Sequence, residues 1–162
     1  MGDLGPRTLR PGRLRGVGAP SPRRGRVVVV TPTTPQDSPA LHIGSVSVDC
    51  PDPGQLADFY ADLFGMTRVA ETPDGRVVAI SDGTHTLAMM KVDDYVPPTW
   101  PEPGQGQQMH FDVSVADLDA AEARALAVGA RLARHQPAPE LWRVFLDPAG
   151  HPFCLTTFGP QP

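Results

Sequence analysis

The stretch that decides the fold is Asp52-Pro53-Gly54-Gln55-Leu56-Ala57-Asp58-Phe59-Tyr60-Ala61-Asp62-Leu63-Phe64-Gly65. Leu56, Phe59, Tyr60, Leu63 and Phe64 recur at helical spacing and make one apolar face. Asp52 is an N-cap residue, Pro53 suits the first helical position, and Gln55 stands in capping-box register. Gly65 ends the helix in the left-handed conformation that a terminating residue adopts. On the near side, Ser45–Val48 alternates polar and apolar residues as a half-buried strand does. On the far side, strands are predicted at Thr67–Ala70, Arg76–Ser81 and Thr84–Lys91, the last two joined by an Asp82-Gly83 turn.

The same order returns 65 residues on, where Asp117 matches Asp52 and Asp147 matches Asp82. His110–Val115 alternates, with Phe111, Val113 and Val115 on one face. Asp117 caps a helix whose Leu118, Ala121, Ala125 and Val128 face inward, and Gly129 closes it. Strands follow at Ala130–Arg134, Trp142–Leu146 and Pro152–Thr157, with a turn at Asp147-Pro148-Ala149-Gly150. A unit of this size cannot close its own core, so two copies must share one. The predicted fold class is α+β: two βαβββ modules forming paired curled sheets around a cleft. Module one spans 41–95, a Pro-rich linker 96–107, and module two 108–160.

Residues 1–40 differ in kind. They hold 7 Arg against Asp3 and Asp37, with 7 Pro and 6 Gly, whereas residues 41–162 hold 7 basic and 16 acidic residues. The first segment shows neither helical nor strand periodicity and is expected to be a disordered Arg/Pro-rich leader. Its Arg23, Arg24 and Arg26 leave open the reading of a basic arm. The bias of 13 Arg to one Lys is that of a GC-rich genome, where valine start codons are common. A true start downstream of Met1 is one form of the leader expectation. The longest apolar run, Val27–Val30, is far short of the ~20 residues of a spanning helix. Two cysteines make neither a disulfide framework nor a zinc ribbon. These features predict a cytoplasmic protein with no membrane partner, and the acidic body argues against nucleic acid.

The blocks Asp49-Cys50-Pro51-Asp52-Pro53, Leu56-Ala57-Asp58-Phe59-Tyr60 and Pro98-Thr99-Trp100-Pro101 carry a resemblance. It continues in Gln107-Gln108-Met109-His110-Phe111-Asp112, Asp117-Leu118-Asp119 and Asp147-Pro148-Ala149-Gly150-His151-Pro152-Phe153-Cys154. From about Leu41 to Phe158 the chain resembles the vicinal oxygen chelate superfamily. That superfamily includes glyoxalase I, bleomycin-resistance proteins and extradiol dioxygenases; the likeness is greatest to its glyoxalase-like domain proteins. The resemblance implies the paired-module fold, a homodimer, and in catalytic members one divalent metal. The metal is held by His, Glu or Gln from the first and fourth strands of each module. Carried onto this sequence, those positions fall at Ser45, Ala88, His110 and Cys154, of which only His110 keeps the family residue.

The expectation is therefore a small, partly aromatic or apolar ligand bound in the cleft with no metal cofactor. His110 is the candidate catalytic or hydrogen-bonding group, and Ser45, Ala88, Met89, Trp100, Asp112 and Cys154 are candidate ligand-binding residues. The alternative is a divalent-metal-dependent lyase, isomerase or dioxygenase with His110 and Cys154 as ligands, completed by residues such as His42 or His85. A second alternative is an interaction domain with a vestigial cleft. His151 is expected to bond backbone in its turn, and Trp142 to lie in the core. Limited proteolysis of the full chain should leave a resistant fragment beginning near residue 41; a resistant core that retains residues 1–40 would contradict the leader reading.

Overall fold

The Asp52 carboxylate accepts the backbone N–H of Gln55 at 3.0 Å, and Gly65 closes the helix at φ 72° with its N–H on the Ala61 carbonyl. Both ends of the first helix are therefore set by the residues that signal them. The computed structural model describes residues 41–159; the expectations for residues 1–40 lie outside the described residues. The elements are β1 (Val46–Cys50), α1 (Pro53–Phe64), β2 (Thr67–Glu71), β3 (Val77–Ser81) and β4 (Thr86–Lys91). The series repeats as β5 (Asp112–Ser114), α2 (Leu118–Ala127), β6 (Arg131–Leu132), β7 (Trp142–Leu146) and β8 (Pro152–Thr156). The first sheet runs β1-β4-β3-β2 and the second β5-β8-β7-β6, each with one parallel pair at its β1 or β5 edge. The two four-stranded sheets are not closed into one.

Two strands are shorter than their sequence pattern. β6 holds only Arg131 and Leu132, because the Gln136 side chain substitutes for the rest of the ladder. Its amide donates to the Ala133 and Val144 carbonyls at 2.9 and 2.7 Å, and its carbonyl accepts the Val144 N–H at 2.9 Å. β5 begins at Asp112 rather than His110, following a left-handed Gln108.

One core serves both modules. Alternation turns Val48, Cys50, Val78, Ile80, Leu87 and Met89 of the first sheet, and Phe145, Phe153 and Leu155 of the second, into the same buried cluster. Helix α1 joins them: Phe59 meets Phe153 edge-on at 6.1 Å, and Tyr60 meets Phe111 edge-on at 5.5 Å. Arg124 of α2 donates to the Leu63 and Asp62 carbonyls at 3.0 and 2.8 Å, satisfying acceptors that the end of α1 leaves unpaired. The open faces of the two sheets lie away from this core.

At its centre is a buried carboxylate. Asp147 is fully buried and accepts the Tyr60 hydroxyl at 2.8 Å and the His151 backbone N–H at 2.9 Å; His151 Nδ1 lies 2.9 Å from its Oδ2. The Tyr95 hydroxyl closes the group, 2.9 Å from His151 Nε2 and 3.1 Å from the Ala149 carbonyl. His151 thus bonds side chains as well as its own turn. Desolvation, reinforced by the Asp147 carboxylate, pushes the Tyr60 hydroxyl well above its ordinary pKa and keeps it a donor. Tyr60→Phe should cost about 1–3 kcal/mol by removing one donor from a buried carboxylate. Asp147→Ala should cost about 3–5 kcal/mol, both read by urea denaturation. Equal, small losses would show that the network carries little of the stability.

Candidate functional site

Because Phe153 and Leu155 enter the core, Cys154 and Thr156 stand on the opposite, open face of the second sheet. The parallel register sets Asp112 beside Cys154 and Ser114 beside Thr156, while β7 sets Val144 and Trp142 on their other flank. His110, two residues before Asp112, shares that face: its Nε2 lies 3.5 Å from Asp112 Oδ1. Its Nδ1 is buried without a hydrogen-bond partner. Ligand atoms of His110, Asp112 and Cys154 all lie within 4.8 Å of one another. Trp100 of the connector packs with Ala133, Val144 and Cys154, and its ring meets His135 at 5.6 Å.

This face holds a cup of about 430 Å³, lined by Asp112, Ser114, Trp142, Cys154, Thr156, Phe158 and Gly159. Phe158 is held over it from both sides of its backbone. Its N–H donates to Thr156 Oγ1 at 3.1 Å, and its carbonyl accepts the Ser114 hydroxyl at 2.8 Å. The Trp142 and Phe158 rings stand 6.0 Å apart at 49°. Gly159 follows at φ 94°, where a Cβ would come within 2.7 Å of Ser114 Oγ; the approach requires glycine.

A second cavity, about 530 Å³, opens beside the β1 and β5 edges. Val46, Phe64, Met66, Leu87, Phe111 and Val113 supply its apolar wall, and Ser45, His85 and Asp112 are among its polar residues.

The candidate residues therefore divide. His110, Asp112, Cys154 and Trp100 come together on the second sheet. Ser45 lines the other cavity with Asp112. Ala88 pairs with Ser47 and Ala79 within the first sheet and lines neither cavity. Met89 is a correction: it is fully buried beneath α1, and Met90 is the residue turned outward. Trp142 is another: it is half-buried and walls the cup. His42 is exposed, and His85 pairs with Asp82 at 3.2 Å in the β3–β4 turn, outside the His110 cluster. Thr156 was within reach of sequence reasoning, since it alternates with Leu155. Phe158 follows the last strand, where no periodicity marks it.

The resemblance implies one divalent metal in catalytic members, and the donor set decides which ion suits these residues. One imidazole, one thiol and one carboxylate match the three-ligand sites of zinc, a borderline-soft ion. They do not match a hard ion that takes six oxygen-rich ligands, and Ala88 offers no donor. Without a metal the thiol is neutral: burial, aided by the Asp112 carboxylate, pushes Cys154 up to about 11.

The glyoxalase-like domain family matches residues 45–156. The chain belongs to that family, within the vicinal oxygen chelate superfamily. Among solved structures, the fosfomycin resistance protein FosX from Mesorhizobium loti is 16% identical with a TM-score of 0.55, covering 73% of this chain and 92% of its own. FosX from Listeria monocytogenes, complexed with Mn(II) and a dihydroxypropylphosphonic acid, is 14% identical with a TM-score of 0.55, covering 73% and 90%. A possible glyoxalase from Bacillus cereus is 15% identical with a TM-score of 0.54, covering 72% and 99%. Likeness at these identities is likeness of fold. No curated protein sequence matches the chain. No helix among the described residues is long and apolar enough to cross a membrane.

The raised thiol pKa has a sign. Cys154 holds its proton in the fold at pH values where the unfolded thiol, near 9.0, has lost it. Its contribution to stability is complete below about pH 9 and is lost as pH rises through about 11. Iodoacetamide should therefore label Cys154 far more slowly in the native protein than in urea at neutral pH, with the native rate climbing toward pH 11. Equal rates in the two states would show an accessible, ordinary thiol.

Proposed function

We propose that this glyoxalase-like domain, spanning residues 41–160, binds a small, partly aromatic or apolar molecule in the cup of its second sheet, without a hard divalent metal. The observation that carries this reading is the cup itself. Trp142 and Phe158, whose rings pack against each other at 6.0 Å, line it together with Cys154, Thr156 and the Asp112 carboxylate. Its volume of about 430 Å³ falls in the range of small-molecule sites. His110, whose buried Nδ1 has no hydrogen-bond partner among the described residues, stands beside the cup against Asp112. The inert thiol supports binding over covalent chemistry at Cys154. The apolar edge at Leu41 and Ile43, each 88% exposed, supports association with a second copy.

A second reading rests on one specific observation, the three ligand atoms within 4.8 Å. There His110, Asp112 and Cys154 would hold zinc, which as a Lewis acid polarises a substrate oxygen. Cys154 would give up its proton on binding it.

Titration of the chelator-treated protein with small aromatic probes, followed by Trp fluorescence and thermal shift, separates the readings. The first predicts saturable binding without metal, weakened about tenfold or more by Trp142→Ala. A stoichiometric zinc ion in the purified protein, lost in His110→Ala, would replace it with the second.

A further inference from the structure

We infer that the cup selects a small organic cation: a ligand with an aromatic or apolar body and a protonated amine. The inference rests on the binding reading above and names the ligand class for the same site.

Its first support is the inventory of charge. Asp112 is the single charged residue lining the cup. Its side chain is 75% exposed and makes no hydrogen bond among the described residues; its one ionic neighbour is His110 at 3.5 Å, too long for a strong bond. The carboxylate is left with acceptor capacity aimed at nothing in the fold.

The second support is where the nearby cations have gone. Arg143, next to Trp142 on β7, is paired with Asp119 and Glu122 of α2 at 2.6 and 2.8 Å. Strand alternation therefore turns it away from the cup. Arg134 and His135 line a separate cavity with Pro101 and Glu102. A carboxylate or phosphate entering the cup would meet no counter-charge and one repelling group.

The third is the disposition of the remaining polar groups. The Ser114 hydroxyl donates its hydrogen bond to the Phe158 carbonyl, and Thr156 Oγ1 accepts the Phe158 N–H. What the cup offers is one carboxylate, the Thr156 hydroxyl as a donor, and the Trp142 and Phe158 rings, which pack against each other at 6.0 Å. Ring faces attract cations through their quadrupole, and a carboxylate forms its strongest hydrogen bonds with charged donors. The excess of 16 acidic over 7 basic residues in 41–162 adds an attractive field for such a ligand.

Three isosteric probes test the class: benzylamine, cationic at about pH 8 like other alkylamines, benzyl alcohol and benzoate. They are titrated into the full chain with a chelator present, following Trp fluorescence and the amide spectrum around Asp112 and Phe158. Benzylamine should bind about tenfold more tightly than benzyl alcohol, and benzoate more weakly than either. Asp112→Asn, at an exposed position with no structural hydrogen bond, should bring the amine and the alcohol to within about twofold of one another. Equal binding of benzylamine and benzyl alcohol, preference for benzoate, or an amine preference that survives Asp112→Asn would overturn the cation class while leaving a binding cup. Absence of binding by all three would overturn both the class and the binding reading.

Discussion

The rest of the structure depends on the burial of one carboxylate. Asp147 has no contact with solvent, yet it takes hydrogen bonds from Tyr60 of α1 and the backbone of His151, and it lies against the His151 imidazole. A buried carboxylate left unpaired would cost several kcal/mol, so each donor is obligatory rather than decorative. Tyr60 and Tyr95 belong to the first module, Tyr95 as its last residue, and Asp147 and His151 belong to the second. The polar group thus does what apolar packing alone does poorly. It fixes one orientation of α1 against the second sheet, where otherwise similar rings could slide past one another.

That anchoring has a consequence for the site. His151 immediately precedes β8, so the turn held by Asp147 sets where Pro152–Thr156 begins. The phase of β8 decides that Phe153 and Leu155 enter the core and that Cys154 and Thr156 face outward. Cys154 then meets Asp112 across the parallel pair, and Thr156 meets Trp142. A shift of one residue would turn Cys154 and Thr156 into the core and take both the cup and the His110 cluster apart. The chemistry of the open face is therefore dictated by a network on the other side of the sheet.

Much of the fold was readable in the chain because its signals are local. Asp52, Gly65 and Asp117 cap helices through contacts within a few residues, and the 65-residue repeat needs no tertiary knowledge. The site was less readable, for identifiable reasons. Met89 and Met90 are adjacent and equally apolar; only the phase of β4 against α1, a tertiary fact, chooses which is buried. Trp142 has the size of a core residue, but its strand alternates with Val144 on the open face and leaves Phe145 to the core. The Tyr60–Asp147 bond spans 87 residues and has no spacing rule. Phe158 acquires its place from hydrogen bonds made by its backbone, which its own identity does not announce.

The two readings of the site share a requirement that narrows the chemistry. Zinc would need the Asp112 carboxylate as its third ligand, and an organic cation would need it as its counter-charge. Either occupant would be positive, because Asp112 is the single charged residue lining the cup. The difference lies at Cys154. Zinc requires the thiolate, and the burial that pushes the thiol up to about 11 opposes forming it. An ammonium ligand requires nothing of Cys154 beyond its neutrality and its share of the floor. The packing of Trp100 and Val144 over Cys154 contributes to that burial, so the connector acts on the balance without supplying any ligand of its own. With no metal beside it, burial keeps the Cys154 thiol protonated.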